Sequence, residues 1–207
     1  MDIKEFKKNP ILGILRDVQE DVVEPLFETI ILAGLGSVEI TMNTKDAPLL
    51  IRKAIKVSRK NLMIGAGTVL SLTDLKSAID AGATFIVTPV LVEDVVSYCV
   101  KNKIPVFPGA FSPQEIYRAW EAGATMVKVF PARFFGPEYF KEIRAPFKNI
   151  ELLACGGVTP ENLRDYFSAG ANAISFGASV FKEVWLKNRD FSSIKQRIEK
   201  YQEAFHA

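Results

Sequence analysis

Short apolar runs alternate with longer amphipathic stretches along the whole chain. Four of the runs share an opening Ala-Gly signature, preceded in three of them by a small or acidic residue. They are LAGLGSVEIT around Gly34, DAGATFIVTP around Gly82, EAGATMVKVF around Gly123 and SAGANAISFG around Gly170, spaced by 48, 41 and 47 residues. Helical solenoids repeat at similar periods. Here, however, FIVTP, MVKVF and AISFG are short and rich in β-branched or aromatic residues, and the glycine ahead of each suits a helix C-cap that leads into a strand.

Four further apolar runs lie between these: ILGILR, LMIGAGTV, IPVFPG and ELLACGG. Helix-like stretches follow each, several behind a capping signal: Ser71 before LTDLKSAID, Ser112-Pro113 before QEIYRAWEA, and Thr159-Pro160-Glu161 before NLRDYFSA. Eight strand–helix units in 207 residues is about 26 residues per unit, the compact end for a (β/α)8 barrel. A doubly wound open sheet is the alternative, but eight parallel strands in four matching double units close more naturally than they stay open. The pattern predicts an α/β chain forming a single-domain compact (β/α)8 TIM barrel over residues 1–207. Phe191, Ile194, Ile198, Tyr201 and Phe205 recur at helical spacing, which predicts a C-terminal amphipathic helix over about 190–205 that packs on the core.

Composition narrows the chemistry. A net charge of +2, from 26 basic and 24 acidic residues, gives no electrostatic footprint for nucleic acid or a membrane surface. The longest apolar stretches, such as Ile30 to Leu35, fall far short of the ~18 residues needed to cross a bilayer. The opening MDIKEFKKNP lacks the apolar centre of a signal peptide. Cys99 and Cys155 are the only cysteines, so a reducing, cytoplasmic setting is expected. The single histidine, His206, is the penultimate residue. Ser-His and Cys-His nucleophiles and His-ligated metal sites therefore drop out, and no metal is expected. Acid–base work falls to Glu, Asp, Lys, Tyr, Cys or the substrate.

Polar residues inside strands are the next signal, because barrel chemistry sits at the C-terminal strand ends. In Met126–Phe130, alternation puts Met126, Lys128 and Phe130 on one face and both valines on the other. With the valines under the helices, Lys128 points into the barrel, where apolar surroundings are expected to lower its pKa and make it a nucleophile. The competing readings are a tip that snorkels to water and an ion pair with a carboxylate. In Ser37–Thr41 the same logic turns Glu39 and Thr41 inward, on the strand across the barrel from Lys128. A structural Glu39–Lys128 pair is compatible with either role. Glycine-rich ends at Cys155-Gly156-Gly157 and Phe176-Gly177-Ala178-Ser179 fall after strands seven and eight, where barrels often bind phosphate through backbone N–H groups. Tight βα turns are the plainer reading. Gly65-Ala66-Gly67-Thr68-Val69-Leu70 is a poor dinucleotide fingerprint, with leucine at its last small position. Arg16, ending the first strand, suits a carboxylate or phosphate clamp as well as an ordinary surface arginine. Arg133 reads as a solvated loop residue.

Taken in order, ILR at 14–16, VEIT at 38–41, IGAGTV at 64–69, VTP at 87–89, PG at 108–109, KVFP at 128–131, GGVTPENL at 156–163 and FGAS at 176–179 resemble one family. It is that of the aldolases of 2-keto-3-deoxy-6-phosphogluconate, 2-keto-3-deoxy-6-phosphogalactonate and 4-hydroxy-2-oxoglutarate, matched from about Asn9 to Phe181. The resemblance implies a class I, cofactor-free aldolase of the Entner-Doudoroff type, typically a homotrimer. Its substrate would be a phosphorylated 2-keto-3-deoxy sugar acid, cleaved reversibly to pyruvate and glyceraldehyde 3-phosphate. Carried over by position, Lys128 is the Schiff-base lysine and Glu39 the acid–base. Thr68 holds the pyruvate carboxylate, and Arg16, Asn43 and Pro89 border the substrate. Gly156, Gly157, Gly177 and Ser179 cradle the phosphate.

Two positions depart from the phosphogluconate branch: Asn43 stands where that branch has arginine, and Cys155 where it has threonine. Asn43 is more like the phosphogalactonate branch, which in turn has proline at the position of Thr41. Cys155 reads as a small neutral wall of the site. A 4-hydroxy-2-oxoglutarate aldolase is the alternative within the family. Outside it stand a phosphate-binding barrel isomerase or synthase without imine chemistry, and a catalytically silent sugar-phosphate binder.

Overall fold

A computed structural model describes residues 1–207. Eight parallel strands form the sheet: β1 (Ile11–Leu15), β2 (Ser37–Thr41), β3 (Met63–Gly67), β4 (Ile86–Val87), β5 in two pieces (Val106–Phe107 and Gly109–Ala110), β6 (Val127–Val129), β7 (Leu152–Cys155) and β8 (Ala173–Phe176). Each pairs with its sequence neighbour, and β1 pairs with both β2 and β8. Pro108 interrupts β5 because it has no N–H to give to the ladder. The piece before it pairs with β4 and the piece after it with β6, which closes the barrel.

The Ala-Gly signature is a helix terminator, as its composition suggests. Gly34, Gly82, Gly123 and Gly170 all have φ between +79° and +103°, a region glycine enters without strain. They follow α2 (Val23–Leu32), α4 (Leu72–Asp80), α6 (Pro113–Glu121) and α8 (Leu163–Ser168). In each case the glycine N–H and the next N–H reach back to the last helical turn, for example Gly34 to Ile31 and Leu35 to Ile30, the Schellman arrangement. The starts are equally local. Ser71 accepts from the Asp74 N–H, and Ser112 forms a reciprocal box with Glu115. The Thr159 signal is displaced: a turn held by Asn162 occupies 159–162, and α8 begins only at Leu163.

The remaining helices of the outer ring are α3 (Ala47–Ser58), α5 (Glu93–Lys101), α7 (Gly136–Arg144), α9 (Glu183–Lys187) and α10 (Phe191–His206). None is long and apolar enough to cross a membrane.

Strand alternation divides the buried residues into two cores. Ile11, Leu15, Val38, Ile40, Val127, Val129, Leu152 and Ile174 face the helices and belong to the larger core. Leu12, Phe85, Val87, Phe107, Met126, Leu153, Cys155 and Ala173 face inward and form the smaller one with Phe6. Phe6 comes from α1 (Ile3–Phe6), a single turn capped by Asp2. Its ring stacks on Phe107 at 6.0 Å, and Phe107 lies 5.8 Å from Phe85.

Glycines in β3 make room for this filling. A β-carbon on Gly65 would stand 2.5 Å from the Phe85 ring, so GAG is a packing device rather than a cofactor turn. Gly65→Ala is therefore expected to cost about 1–3 kcal/mol by overpacking, or about 2–12 °C in Tm for a chain of this size. Adding Phe85→Leu should recover part of that loss. Thermal melts of the two variants check it, and an unchanged Tm in Gly65→Ala would contradict this packing.

Candidate active site

β6 presents Lys128 inward, as the alternation of Met126, Lys128 and Phe130 requires, and β2 presents Glu39. Both are buried, with 8% and 1% of their surface exposed. They do not form an ion pair within 4.0 Å, and Glu39 Oε2 has no hydrogen-bond partner. The structural-pair alternative is thus not realised as a direct contact. Instead the Lys128 Nζ stands 5.5 Å from the centre of the Phe130 ring, a cation–π distance, and Cys155 on the adjacent strand favours its charged form. The Glu39 carboxylate owes its place to Gly67, where a β-carbon would lie 2.6 Å from the carboxyl carbon.

The barrel mouth above β1, β6, β7 and β8 opens into a cavity of about 1240 Å³. Arg16, Gly156, Gly157, Gly177 and Ser179 line it, together with Cys155 and Phe130, the two neighbours of Lys128. The backbone N–H groups of Gly156, Gly157, Gly177, Ala178 and Ser179 make no hydrogen bond within the protein. Gly156 and Gly157 both have φ of +90°, which only glycine holds without strain. Five such donors among the residues lining the cavity are suited to meeting an anion. The Ser179 hydroxyl, by contrast, is turned toward Tyr201 at 3.3 Å.

Arg133 keeps its solvated loop position and gains a place in the site. It is exposed, as a loop residue should be, but it lines this cavity and packs so closely over Gly157 that any β-carbon there would collide with it. Among the other charges of the cavity, Arg189 pairs with Asp21 and Lys187 with Glu183 at 2.6 Å. Arg16 and Arg133 are in no ion pair. Nothing in the local sequence FPARFFGP distinguishes Arg133; the close approach of its loop to Gly157 does.

Thr68, Asn43 and Pro89 lie outside this cavity. Thr68 follows β3 with φ of +54°, an uncommon conformation for a β-branched residue and a mark of stored strain. Asn43 is exposed on the loop after β2, next to Thr44. The Thr44 hydroxyl accepts from the Asp17 N–H at 3.1 Å and meets Thr41 at 3.0 Å, tying the Arg16 strand end to the β2 loop. The Pro89 carbonyl approaches Gly109 too closely to admit a side chain there, so Pro89 sits at the β4–β5 contact.

The family profile described as "Aldolase: KDPG and KHG aldolase" matches residues 3–197. Here KDPG stands for the phosphogluconate-derived keto acid and KHG for 4-hydroxy-2-oxoglutarate. The chain belongs to this aldolase family. It is 32% identical to the 2-dehydro-3-deoxy-6-phosphogalactonate aldolase of Escherichia coli K12, over 95% of this chain and 97% of that one. Identity to the 2-dehydro-3-deoxy-phosphogluconate aldolase of Haemophilus influenzae is 33%, over 87% and 84%. Among solved structures, a native KDPGal structure superposes with a TM-score of 0.90 at 30% identity, covering 96% of this chain and 95% of that one. Aldolases are carbon–carbon lyases, and the barrel and activity class follow from membership.

The electrostatics of this aldolase differ from the sequence expectation at Lys128. Desolvation is the largest influence on its amine and acts downward. Cys155 and the Glu39 carboxylate act upward, and together they hold the ammonium above its ordinary value. For Glu39, burial pushes the carboxyl above the usual range, against the pull of Lys128 and then of Arg16. A raised carboxyl is a better proton acceptor than an ordinary carboxylate.

Because the folded value lies above the unfolded one, wild type loses stability as pH rises from about 4.3 through the raised folded value. Glu39→Gln carries no proton to lose there. Melts at both pH values should show the variant gaining on wild type between pH 4 and pH 8, whereas a constant offset would contradict the raised carboxyl.

Proposed function

We propose that this aldolase works by imine chemistry on Lys128 and cleaves a 2-keto-3-deoxy-6-phospho sugar acid of the phosphogluconate or phosphogalactonate type to pyruvate and glyceraldehyde 3-phosphate. One observation carries the reading. A buried amine and a buried carboxylate, not in direct contact, both face into the barrel, and Phe130 and Cys155 beside the amine line a cavity that also holds free backbone amides and two arginines outside any ion pair.

In this mechanism Lys128 gives up its proton, with Glu39 as the acceptor directly or through water, and the amine adds to the C2 ketone. Glu39 returns that proton to the carbinolamine hydroxyl, and loss of water leaves a protonated imine, an electron sink for the electrons of the C3–C4 bond. Glu39 takes the proton of the C4 hydroxyl as that bond breaks, and the aldehyde departs. The same carboxyl returns a proton to the enamine carbon. Hydrolysis then frees pyruvate and restores the Lys128 amine. Run backwards, the same steps form the bond.

Arg16, Arg133 and the amides of Gly156, Gly157, Gly177 and Ser179 are suited to the phosphoryl end, and Thr68, with adjacent amides, to the pyruvate carboxylate. Asn43 favours the phosphogalactonate epimer. The similarity of about 30% to both phosphogalactonate and phosphogluconate aldolases leaves the epimer to direct assay. The family resemblance also carries a cytoplasmic homotrimer. An aromatic cluster supports an apolar assembly face: Phe134 and Phe135 are 70% and 57% exposed, and Phe135 stacks on Phe111 and Tyr139.

Borohydride reduction in the presence of pyruvate, followed by intact mass and peptide mapping, should give a stable adduct on Lys128 that Lys128→Ala abolishes. No adduct from folded protein would remove the imine mechanism. Cleavage of both phosphorylated epimers should exceed that of 4-hydroxy-2-oxoglutarate. Arg133→Ala is expected to raise KM for the phosphorylated substrate about 10-fold, the worth of one charge-assisted hydrogen bond. Equal rates on phosphorylated and unphosphorylated substrates would favour the 4-hydroxy-2-oxoglutarate reading instead. Sedimentation equilibrium tests the assembly, for which a trimer is expected and a monomer would overturn the proposal.

A further inference from the structure

The two glycine loops are each braced internally. In the β7 loop the Thr159 N–H donates to Asn162 Oδ1 at 2.8 Å, and Asn162 Nδ2 donates to the Gly157 carbonyl at 3.1 Å. In the β8 loop the N–H groups of Val180 and Phe181 both donate to the Gly177 carbonyl at 2.9 Å. What connects the loops comes from neither. Tyr201, on α10, is fully buried, and its hydroxyl donates to the Val158 carbonyl at 2.8 Å. Its oxygen also lies 3.3 Å from Ser179 Oγ. A phenol has one proton, so with that proton on Val158 the serine is the donor in the second bond. One oxygen thus bridges a residue following Gly156-Gly157 to a residue following Gly177.

We propose that Tyr201 is a positioning residue for the phosphoryl site: its hydroxyl fixes the spacing between the two loops, so that their free backbone amides converge on one anion. The inference deepens the phosphate reading above and rests on it. Tyr201 itself does not line the cavity. Its ring is held by Phe176, with centroids 4.5 Å apart, and by the Arg197 guanidinium, 5.7 Å away. Burial pushes the phenol above its usual range, so it remains a donor at any working pH. The bridge also explains how a helix at the far end of the sequence bears on a site made of strand ends: α10 delivers Tyr201 behind the loops it joins.

The test compares Tyr201→Phe, which keeps the ring and removes the bridge, with Ile198→Val, a packing change elsewhere on the buried face of α10 with a similar loss of stability. Three readouts are taken on the full chain. KM for the phosphorylated keto acid is expected to rise about five-fold in Tyr201→Phe, the worth of about one hydrogen bond, with kcat within two-fold. KM for unphosphorylated 4-hydroxy-2-oxoglutarate should not change. The dissociation constant for inorganic phosphate, measured by calorimetry, should weaken by the same factor as the first KM. Ile198→Val should move none of the three.

A Tyr201→Phe enzyme that binds phosphate as wild type does would overturn the proposal. So would one in which both KM values rise together, or an Ile198→Val enzyme with the same selective loss. Pyruvate trapping on wild-type Lys128 reports on the aldolase reading alone. The phosphate titration needs no turnover, so the two failures remain distinct.

Discussion

A lysine and a glutamate share the interior of this barrel without touching, and much of the structure serves that arrangement. Two opposite charges in a low-dielectric interior attract strongly and gain most when they meet. Here they project from β6 and β2, strands on opposite sides of a closed ring. The backbone holds them apart at positions that pairing across adjacent strands would never produce. Glu39 is further confined by the space Gly67 leaves for it. The Lys128 charge is met by the Phe130 face and by Cys155 rather than by a carboxylate in contact.

Such a centre is costly to fold, and the lower half of the barrel offsets the cost. Phe6, Phe85, Phe107, Met126 and Leu153 fill that half with close-packed apolar volume. The single-turn helix α1 supplies Phe6 as a plug for that half. The same β3 strand serves both layers, with Gly65 beneath the Phe85 ring and Gly67 beside the Glu39 carboxylate. Removing two side chains from one strand admits an aromatic ring below and a buried charge above. A raised carboxyl at Glu39 and a raised amine at Lys128 are the electrostatic record of that compromise: burial opposes charging the carboxyl, while the charge and sulfur around the amine favour keeping its proton.

Charge at the mouth follows a similar logic on a looser scale. Two of the four cations around the cavity are neutralised by neighbouring carboxylates, which leaves Arg16 and Arg133 on either side of the glycine loops. Backbone amides contribute fixed partial charges that need no reorganisation when an anion arrives. Their value depends on the loops keeping their mutual distance, and that distance is set from outside the site, by α10.

Local signals in the sequence were sufficient for the scaffold. Glycine after alanine at four helix ends, serine caps at two starts and period-two alternation in the strands each act over a few residues, so the eight units and the inward faces of Lys128 and Glu39 were legible without coordinates. The family resemblance was legible too, since eight motifs in register span nearly the whole chain. Other features depend on which distant segments meet. Arg133 lies in an unremarkable loop and reaches the cavity because that loop packs on Gly157. The amine of Lys128 is raised rather than lowered because Cys155 and Glu39, from other strands, outweigh its burial. The Ser179 hydroxyl turns to a tyrosine on the last helix. The sequence by itself determined the period, the caps and the faces, which are short-range properties of the chain. Only the tertiary structure decided the separation of the two buried charges and the partners of each loop, because electrostatic and hydrogen-bond energies depend on distances that barrel closure sets.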